Sequence, residues 1–177
     1  MINRKNLSQI KCIVAEVDGV LTDGKTWLNQ LGSHQRKFSV RDSMAIRRLF
    51  KAGYGFAVVY DCQSVTDEKE ITEHFEQLGV KLFLKSSGNK PEFSALLSSL
   101  EITLEECVFI QASAFEFKNK FGITVSTPNA PQEVRTSVEH ITGSEGGDGA
   151  LAEFTQLVLD HGSYSSSQST ARKAVNV

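Results

Sequence analysis

No stretch of the sequence approaches the roughly 20 consecutive apolar residues that a bilayer-spanning helix needs, and the opening MINRKNLSQIK lacks the apolar centre of a signal peptide. A soluble cytoplasmic chain with no membrane partner is the expectation. Nor is there an excess of charge of one sign: 19 basic and 21 acidic residues are interspersed, for a net charge of −2. That balance offers no basic stripe to nucleic acid. Cysteine is scarce, and Cys12, Cys62 and Cys107 show no C-x-x-C spacing. Free thiols in a reducing compartment are expected rather than a zinc site or a disulfide framework. There is no internal repeat, no P-loop and no dinucleotide fingerprint.

What is present is enough apolar material, 40% of 177 residues, for one well-buried core. The expected organisation is one domain over residues 8–162. The closing segment 163–177, SYSSSQSTARKAVNV, has too little apolar content to fold alone and is expected to be disordered.

The segment around which the rest is arranged is Cys12 to Gly24, CIVAEVDGVLTDG. Cys12–Ala15 reads as a strand buried on both faces, and Glu16 and Asp18 follow where that strand should end. Carboxylates in that position sit at the carboxyl edge of a sheet, where open α/β folds bind ligands. Asp18 and Asp23 are also suited to cap the turn and hold the base of the segment after it.

Residues 25–40 alternate loosely about the turn-like Asn29–Ser33 and predict a β-hairpin, with Trp27 and Phe38 on one apolar face. A two-stranded hairpin is marginal alone, so that face is expected to be buried against another subunit. Asp42 or Ser43 is positioned to cap a helix to about Ala52, with Ala45, Ile46, Leu49 and Phe50 inward. Arg41 and Asp42 suggest either a salt bridge fixing the hairpin against that helix, the favoured reading, or a substrate contact.

A strand at Phe56–Val59 comes next, then a capping box at Ser64–Asp67 with Ile71, Phe75 and Leu78 in helical register. A third strand spans Val80–Leu84. Lys90-Pro91 opens a helix with Phe93, Leu96, Leu97 and Leu100 on one face, and Lys90 is either solvated there or an anion contact. A second box, Thr103–Glu106, feeds the strand Cys107–Ile110. A helical segment near Phe115–Phe121, a strand at Ile123–Val125, a helix from Pro131 and a strand near His140–Thr142 continue the alternation. Gly143, Gly146, Gly147 and Gly149 read as a flexible turn before a last helix carrying Leu151, Phe154 and Val158. Alternation of this kind specifies an α/β fold, a parallel sheet with helices on both faces.

DGVLTDG at Asp18–Gly24, FSVRDSMAIR at Phe38–Arg47, Lys90 in SSGNKPEFSALL and GGDGALAEF at Gly146–Phe154 together resemble the haloacid dehalogenase superfamily. More narrowly they resemble its small-cap 3-deoxy-D-manno-octulosonate 8-phosphate phosphatases, and a similar domain attached to some sialic-acid cytidylyltransferases. The resemblance covers residues 8–161. It implies a Rossmann-like sheet with a protruding β-hairpin in place of a large cap, Mg²⁺-dependent phosphomonoester hydrolysis, and a tetramer whose hairpins pack together.

Carried over position by position, the resemblance puts Glu16 at the nucleophile position, normally aspartate, and Asp18 at the acid/base position. It puts Tyr60 where a small hydroxyl residue binds the phosphoryl group, and Lys90 at the phosphate-binding lysine. Ala112 and Ser113 stand where the family holds its metal-binding acids, with Glu116 a few residues on. Asp148 replaces an arginine of the glycine loop. Tyr60, Lys90 and Arg41 are the candidate substrate-binding residues.

Phosphoryl transfer depends on positioning and on neutralised charge. The extra methylene of Glu16 displaces its oxygen by on the order of 1 Å, a misplacement that can cost about 10²-fold in rate. Mg²⁺ wants one or two carboxylates and near-octahedral geometry, and Ala112 and Ser113 offer none. The expectation is a protein that has lost hydrolase activity, binds no cofactor, and acts as a non-catalytic oligomeric or sugar-phosphate-binding module. The alternative is an active Mg²⁺-dependent sugar-phosphate phosphatase, in which Glu16, Asp18 and Glu116 gather the metal. The expected partners are further copies of the chain, forming a tetramer, and a small sugar phosphate.

Overall fold

The computed structural model describes residues 7–28, 30, 34–62, 64–86, 93–114 and 120–162. Most of the turn Asn29–Ser33, Lys90 and Pro91, most of the segment Phe115–Phe121 and the tail from Ser163 lie outside the described residues. The helix expected to open at Lys90-Pro91 begins at Ser94, with Phe93 at its cap.

Six strands form one parallel sheet. They are β1 (Cys12–Glu16), β4 (Gly55–Tyr60), β5 (Leu82–Lys85), β6 (Cys107–Gln111), β7 (Ile123–Ser126) and β8 (His140–Ile141), in the order β5-β4-β1-β6-β7-β8. β1 is central, with Glu16 opposite Val59 on one side and Ala15 opposite Ile110 on the other. β2 (Trp27–Leu28) and β3 (His34–Gln35) pair antiparallel in a separate two-stranded sheet. This is the Rossmann-like architecture with a short hairpin outside it.

Every residue of β1 is buried, and its alternate side chains feed two cores. Ile13 and Ala15 face a layer built by α1 (Val40–Lys51), α2 (Val65–Glu76) and α5 (Ala150–His161), through Ile46, Leu49, Ile71, Phe75, Leu151 and Phe154. Cys12 and Val14 face the other layer, which includes α3 (Ser94–Leu100) and the ring cluster Phe93, Phe109 and Phe121. Phe109 and Phe121 stack with centroids 4.9 Å apart, and Phe93 meets Phe121 edge-on at 5.2 Å. A fully buried Ile or Val contributes roughly 1.5–3 kcal/mol, so Ile13 and Val14 anchor this strand firmly in both layers. α4 (Gln132–Arg135) is a single turn capped by Pro131. No helix among the described residues is long and apolar enough to cross a membrane.

Several local expectations change. α1 begins at Val40 with Ser39 at its cap, so neither Asp42 nor Ser43 caps it. Asp42 is buried and instead caps α5, accepting the N–H of Ala152 at 2.8 Å and of Gly149 at 3.2 Å. It therefore forms no salt bridge with Arg41, whose Nη1 donates to the carbonyl of Asp148 at 3.3 Å. The third strand begins at Leu82, not Val80. The Thr103–Glu106 box is formed at both of its bonds, whereas at Ser64 the hydroxyl accepts from Asp67 N–H and the Asp67 carboxylate turns elsewhere.

Trp27 and Phe38 do not share a face. Phe38 stacks on His74 at 4.0 Å and meets Phe75 edge-on, joining the main core. Trp27 stays 40% exposed beneath the Lys37 ammonium, which lies 3.4 Å from the ring centroid.

Candidate functional site

The chain leaves β1 through a wide turn, Val17–Leu21, closed by the Thr22 N–H on the Val17 carbonyl at 2.9 Å. The buried Thr22 hydroxyl also donates to that carbonyl and accepts the N–H groups of Gly19 and Gly24. Gly19 has φ +86°, and a Cβ there would lie 2.5 Å from the Ala112 Cβ, so the turn admits only glycine. Asp23 accepts the Lys25 N–H at 2.9 Å, capping the next bend as its sequence position suggests.

The glycine loop is not a free turn. Gly147 N–H donates to the Val20 carbonyl and Gly146 N–H to Asn129 Oδ1, each at 2.9 Å. A Cβ on Gly146 would run into the Gly19 carbonyl oxygen. These glycines exist for close backbone approach, and the loop they form walls the carboxyl edge of β1.

At that edge Glu16 is 7% exposed, and its Oε2 accepts the backbone N–H of Ala112 and, at 2.8 Å, of Ser113. Burial pushes its carboxyl above the ordinary value, against the lowering pull of the two N–H donors. Asp18 stands nearer solvent, with its carboxylate gripped by Arg36 of the hairpin: Nε reaches Oδ1 at 2.9 Å and Nη2 reaches Oδ2 at 3.1 Å. The same guanidinium reaches the Asp67 carboxylate. Asp18, Arg36, Asp61 and Asp67 line one cavity of about 250 Å³.

The other sequence candidates divide. Ala112 and Ser113 come to Glu16, through their backbone. Tyr60 does not line the cavity; it is 5% exposed in the core, and its hydroxyl donates to Glu68 Oε1 at 2.8 Å. Burial first, and Glu68 second, push that phenol up to about 12. Glu68 also accepts from Lys85 at 2.7 Å, so the position of the family's phosphate-binding hydroxyl belongs to a knot tying β4, α2 and β5 together. Arg41 lies at α5's glycine loop. Lys90 and Glu116 lie outside the described residues.

Sequence reasoning misses Arg36, Asp67 and Gln111. Arg36 is a single basic residue inside a predicted hairpin, and a helix cap accounts for Asp67. Gln111 ends β6 fully buried, with neither end of its amide partnered among the described residues. It directly precedes the two positions where the family's acids would stand, and that adjacency is the available signal.

The site does not fit Mg²⁺ as arranged. Glu16 Oε2 is committed to two N–H groups, both Asp18 oxygens to a guanidinium, and positions 112 and 113 offer no carboxylate. Among the described residues no three His, Cys, Asp or Glu side chains are grouped to hold a metal.

No protein-family model matches the chain. Among curated proteins it is 28% identical over 172 residues to the 3-deoxy-D-manno-octulosonate 8-phosphate phosphatase KdsC of Haemophilus influenzae, covering 96% of this chain and 93% of that protein. Among solved structures it is similar to a HAD superfamily (subfamily III A) hydrolase from Legionella pneumophila, with a TM-score of 0.81 at 27% identity and coverage of 89% and 86%. The 3-deoxy-D-manno-octulosonate 8-phosphate phosphatase of Moraxella catarrhalis, solved with magnesium, phosphate and KDO, superimposes with a TM-score of 0.79 at 26% identity, covering 90% of this chain and 91% of that one.

Proposed function

We propose that this chain, which belongs to the haloacid dehalogenase superfamily and its 3-deoxy-D-manno-octulosonate 8-phosphate phosphatase-like family, has kept the fold and lost the hydrolysis. The observation that carries this reading is Glu16. Its carboxylate is buried and bonded to the Ala112 and Ser113 N–H groups, at the loop where relatives are expected to hold their metal acids. Two backbone donors hold its Oε2, and with no carboxylate at positions 112 and 113 to help bind a metal the charge of an approaching phosphoryl group is not offset. Without a metal, its negative charge also repels the dianion it would have to attack.

The function that remains is a non-catalytic oligomeric or sugar-phosphate-binding module formed by residues 8–162. Its hairpin, built on β2 and β3, carries the exposed Trp27 and Leu28, the latter 65% exposed, as the contact surface of a homotetramer. The sugar-phosphate class is supported by the Moraxella relative, a 3-deoxy-D-manno-octulosonate 8-phosphate phosphatase whose complex contains a phosphate ion and KDO. Among the described residues no disulfide joins Cys12, Cys62 or Cys107, which suits a reducing cytoplasm.

A second reading is favoured by the relatives themselves, which are named as phosphatases, one of them bound to magnesium. In it Glu16 and Asp18 leave their present partners and gather Mg²⁺ with Glu116. Hydrolysis of a generic phosphate ester with and without Mg²⁺ decides between the two. The expected result is no Mg²⁺-dependent turnover by the unaltered chain, and a measurable gain in Glu16→Asp/Ala112→Asp. Robust turnover by the unaltered chain, abolished by Asp18→Ala, would establish the second reading.

A further inference from the structure

Arg36 follows β3 directly, yet its guanidinium leaves the hairpin and enters the edge of the main sheet. Its two-point fork on Asp18 and its second pair of bonds to Asp67 use the planar donor pattern that suits carboxylates and that a lysine cannot reproduce. The Arg36 side chain is only 18% exposed and that of Asp67 only 9%, while Asp18 remains 47% open. Asp67 lies in the first turn of α2, so the contact joins the hairpin, the end of β1 and the start of a core helix.

The charges around it explain why a cation belongs there. Asp18, Asp61 and Asp67 line one cavity, and among the described residues its basic lining groups are Arg36 and Lys25. Lys25 is turned to Asp23, with its Nζ 3.7 Å from Oδ2. Arg36 is left as the positive group facing Asp18, and Asp18, followed by Asp67, holds its guanidinium more firmly charged, against the opposing effect of burial.

We infer that Arg36 is a resident cation of this site: its guanidinium neutralises Asp18 and Asp67 where a divalent ion would otherwise be needed, and the same bonds pin the hairpin to α2. The inference rests on the catalytically silent reading. It gives the failed fit to Mg²⁺ a positive cause, since both oxygens of Asp18 are already taken from within the chain. Removing Arg36 leaves Asp18, Asp61 and Asp67 lining one cavity without the guanidinium that neutralises two of them.

The test is thermal unfolding of the full chain in MgCl₂ and in NaCl of equal ionic strength, for the unaltered protein, Arg36→Ala and Arg36→Lys. The unaltered protein is expected to show no Mg²⁺-specific shift. Arg36→Ala is expected to unfold at lower temperature and to recover by about 3–6 °C when Mg²⁺ is at ten times its dissociation constant. Arg36→Lys keeps the charge and loses the fork, so it is expected to fall in stability without a Mg²⁺ response. If Arg36→Ala does not fold, Arg36→Gln, which keeps an amide donor for Asp18, carries the same comparison. An unaltered chain that responds to Mg²⁺ as strongly as the variant, or a variant blind to Mg²⁺, would overturn the inference. Ester turnover by the unaltered chain is scored separately: its presence defeats the silent reading, while its absence beside a Mg²⁺-blind variant defeats the resident cation alone.

Discussion

Glu16 and Ser113 are joined by a 2.8 Å hydrogen bond from backbone N–H to buried carboxylate, across the central pair of strands β1 and β6. The first and fourth core strands of the chain thus meet through an acid and a peptide group, an arrangement that stabilises an edge without requiring a ligand. Removing the carboxylate would orphan two donors, a loss of about 1–3 kcal/mol for each group left buried and unpaired.

That bond has a pH signature. Burial raises the Glu16 carboxyl above its ordinary 4.5, so the folded protein holds that proton more tightly than the unfolded chain does. The stabilisation is complete below the unfolded value and is lost as pH rises through the folded one. Glu16→Gln, which still accepts the N–H groups, is expected to gain stability over the parent as pH rises from about 4 to 8, read by urea unfolding at each pH. Burial-lowered His74 and His140 act in the opposite sense, their contribution complete above 6.5 and lost as pH falls through their lower folded values. The comparison is therefore made between variant and parent. A flat difference across the range would show that burial does not govern Glu16.

Asp42 should matter through α5 rather than through Arg41. Asp42→Ala removes both acceptors from the start of that helix and is expected to cost about 1–2 kcal/mol in equilibrium unfolding. Asp42→Asn keeps one acceptor and is expected to cost less. Arg41→Ala is expected to change stability little by comparison; a loss equal to that of Asp42→Ala would restore the ion pair the sequence suggested.

The glycine loop can be tested with an internal control. A Cβ at Gly146 strikes the Gly19 carbonyl and lies 2.9 Å from that of Thr22, whereas one at Gly143 comes no nearer than 3.5 Å to Glu153 Oε2. Gly146→Ala is expected to cost about 3 kcal/mol, and Gly143→Ala to stay within about 0.5 kcal/mol. Equal effects in denaturant melts would mean the loop is not held as described.

Assembly through the hairpin predicts a sedimenting oligomer that weakens on Trp27→Ala. A buried tryptophan anchor is worth about 2 kcal/mol, roughly thirtyfold in association. A chain that sediments as a monomer at micromolar concentration would defeat the tetramer.

The sheet is largely legible in the sequence because strands buried on both faces read as unbroken apolar runs, and helices covering them repeat at 3.6 residues. Glu16 and Asp18 are legible for the same reason, as polar residues at the end of such a run. The illegible features depend on partners distant in sequence. Phe38 reads as the hairpin's own apolar face until α2 supplies His74 and Phe75 for it to pack on. Asp42 and Ser64 both carry cap chemistry, but only the fold shows that Asp42 serves a helix beginning more than a hundred positions later. Arg36 carries no local signal, since a lone basic residue in a hairpin is ordinarily solvated.

The long reach of Asp42 also sets an order of events. Its two acceptors meet donors 107 and 110 residues further along the chain, and the loop preceding those donors is the one wedged against Gly19. Such distant contacts carry the largest closure entropy and are expected late in folding. A nascent chain can lay β1 between β4 and β6 before α5 exists, but it cannot finish the rim above Glu16 until its last helix docks. The rim is therefore expected to carry low φ-values and to open early in native-state hydrogen exchange, even though it sits on a strand buried along its whole length.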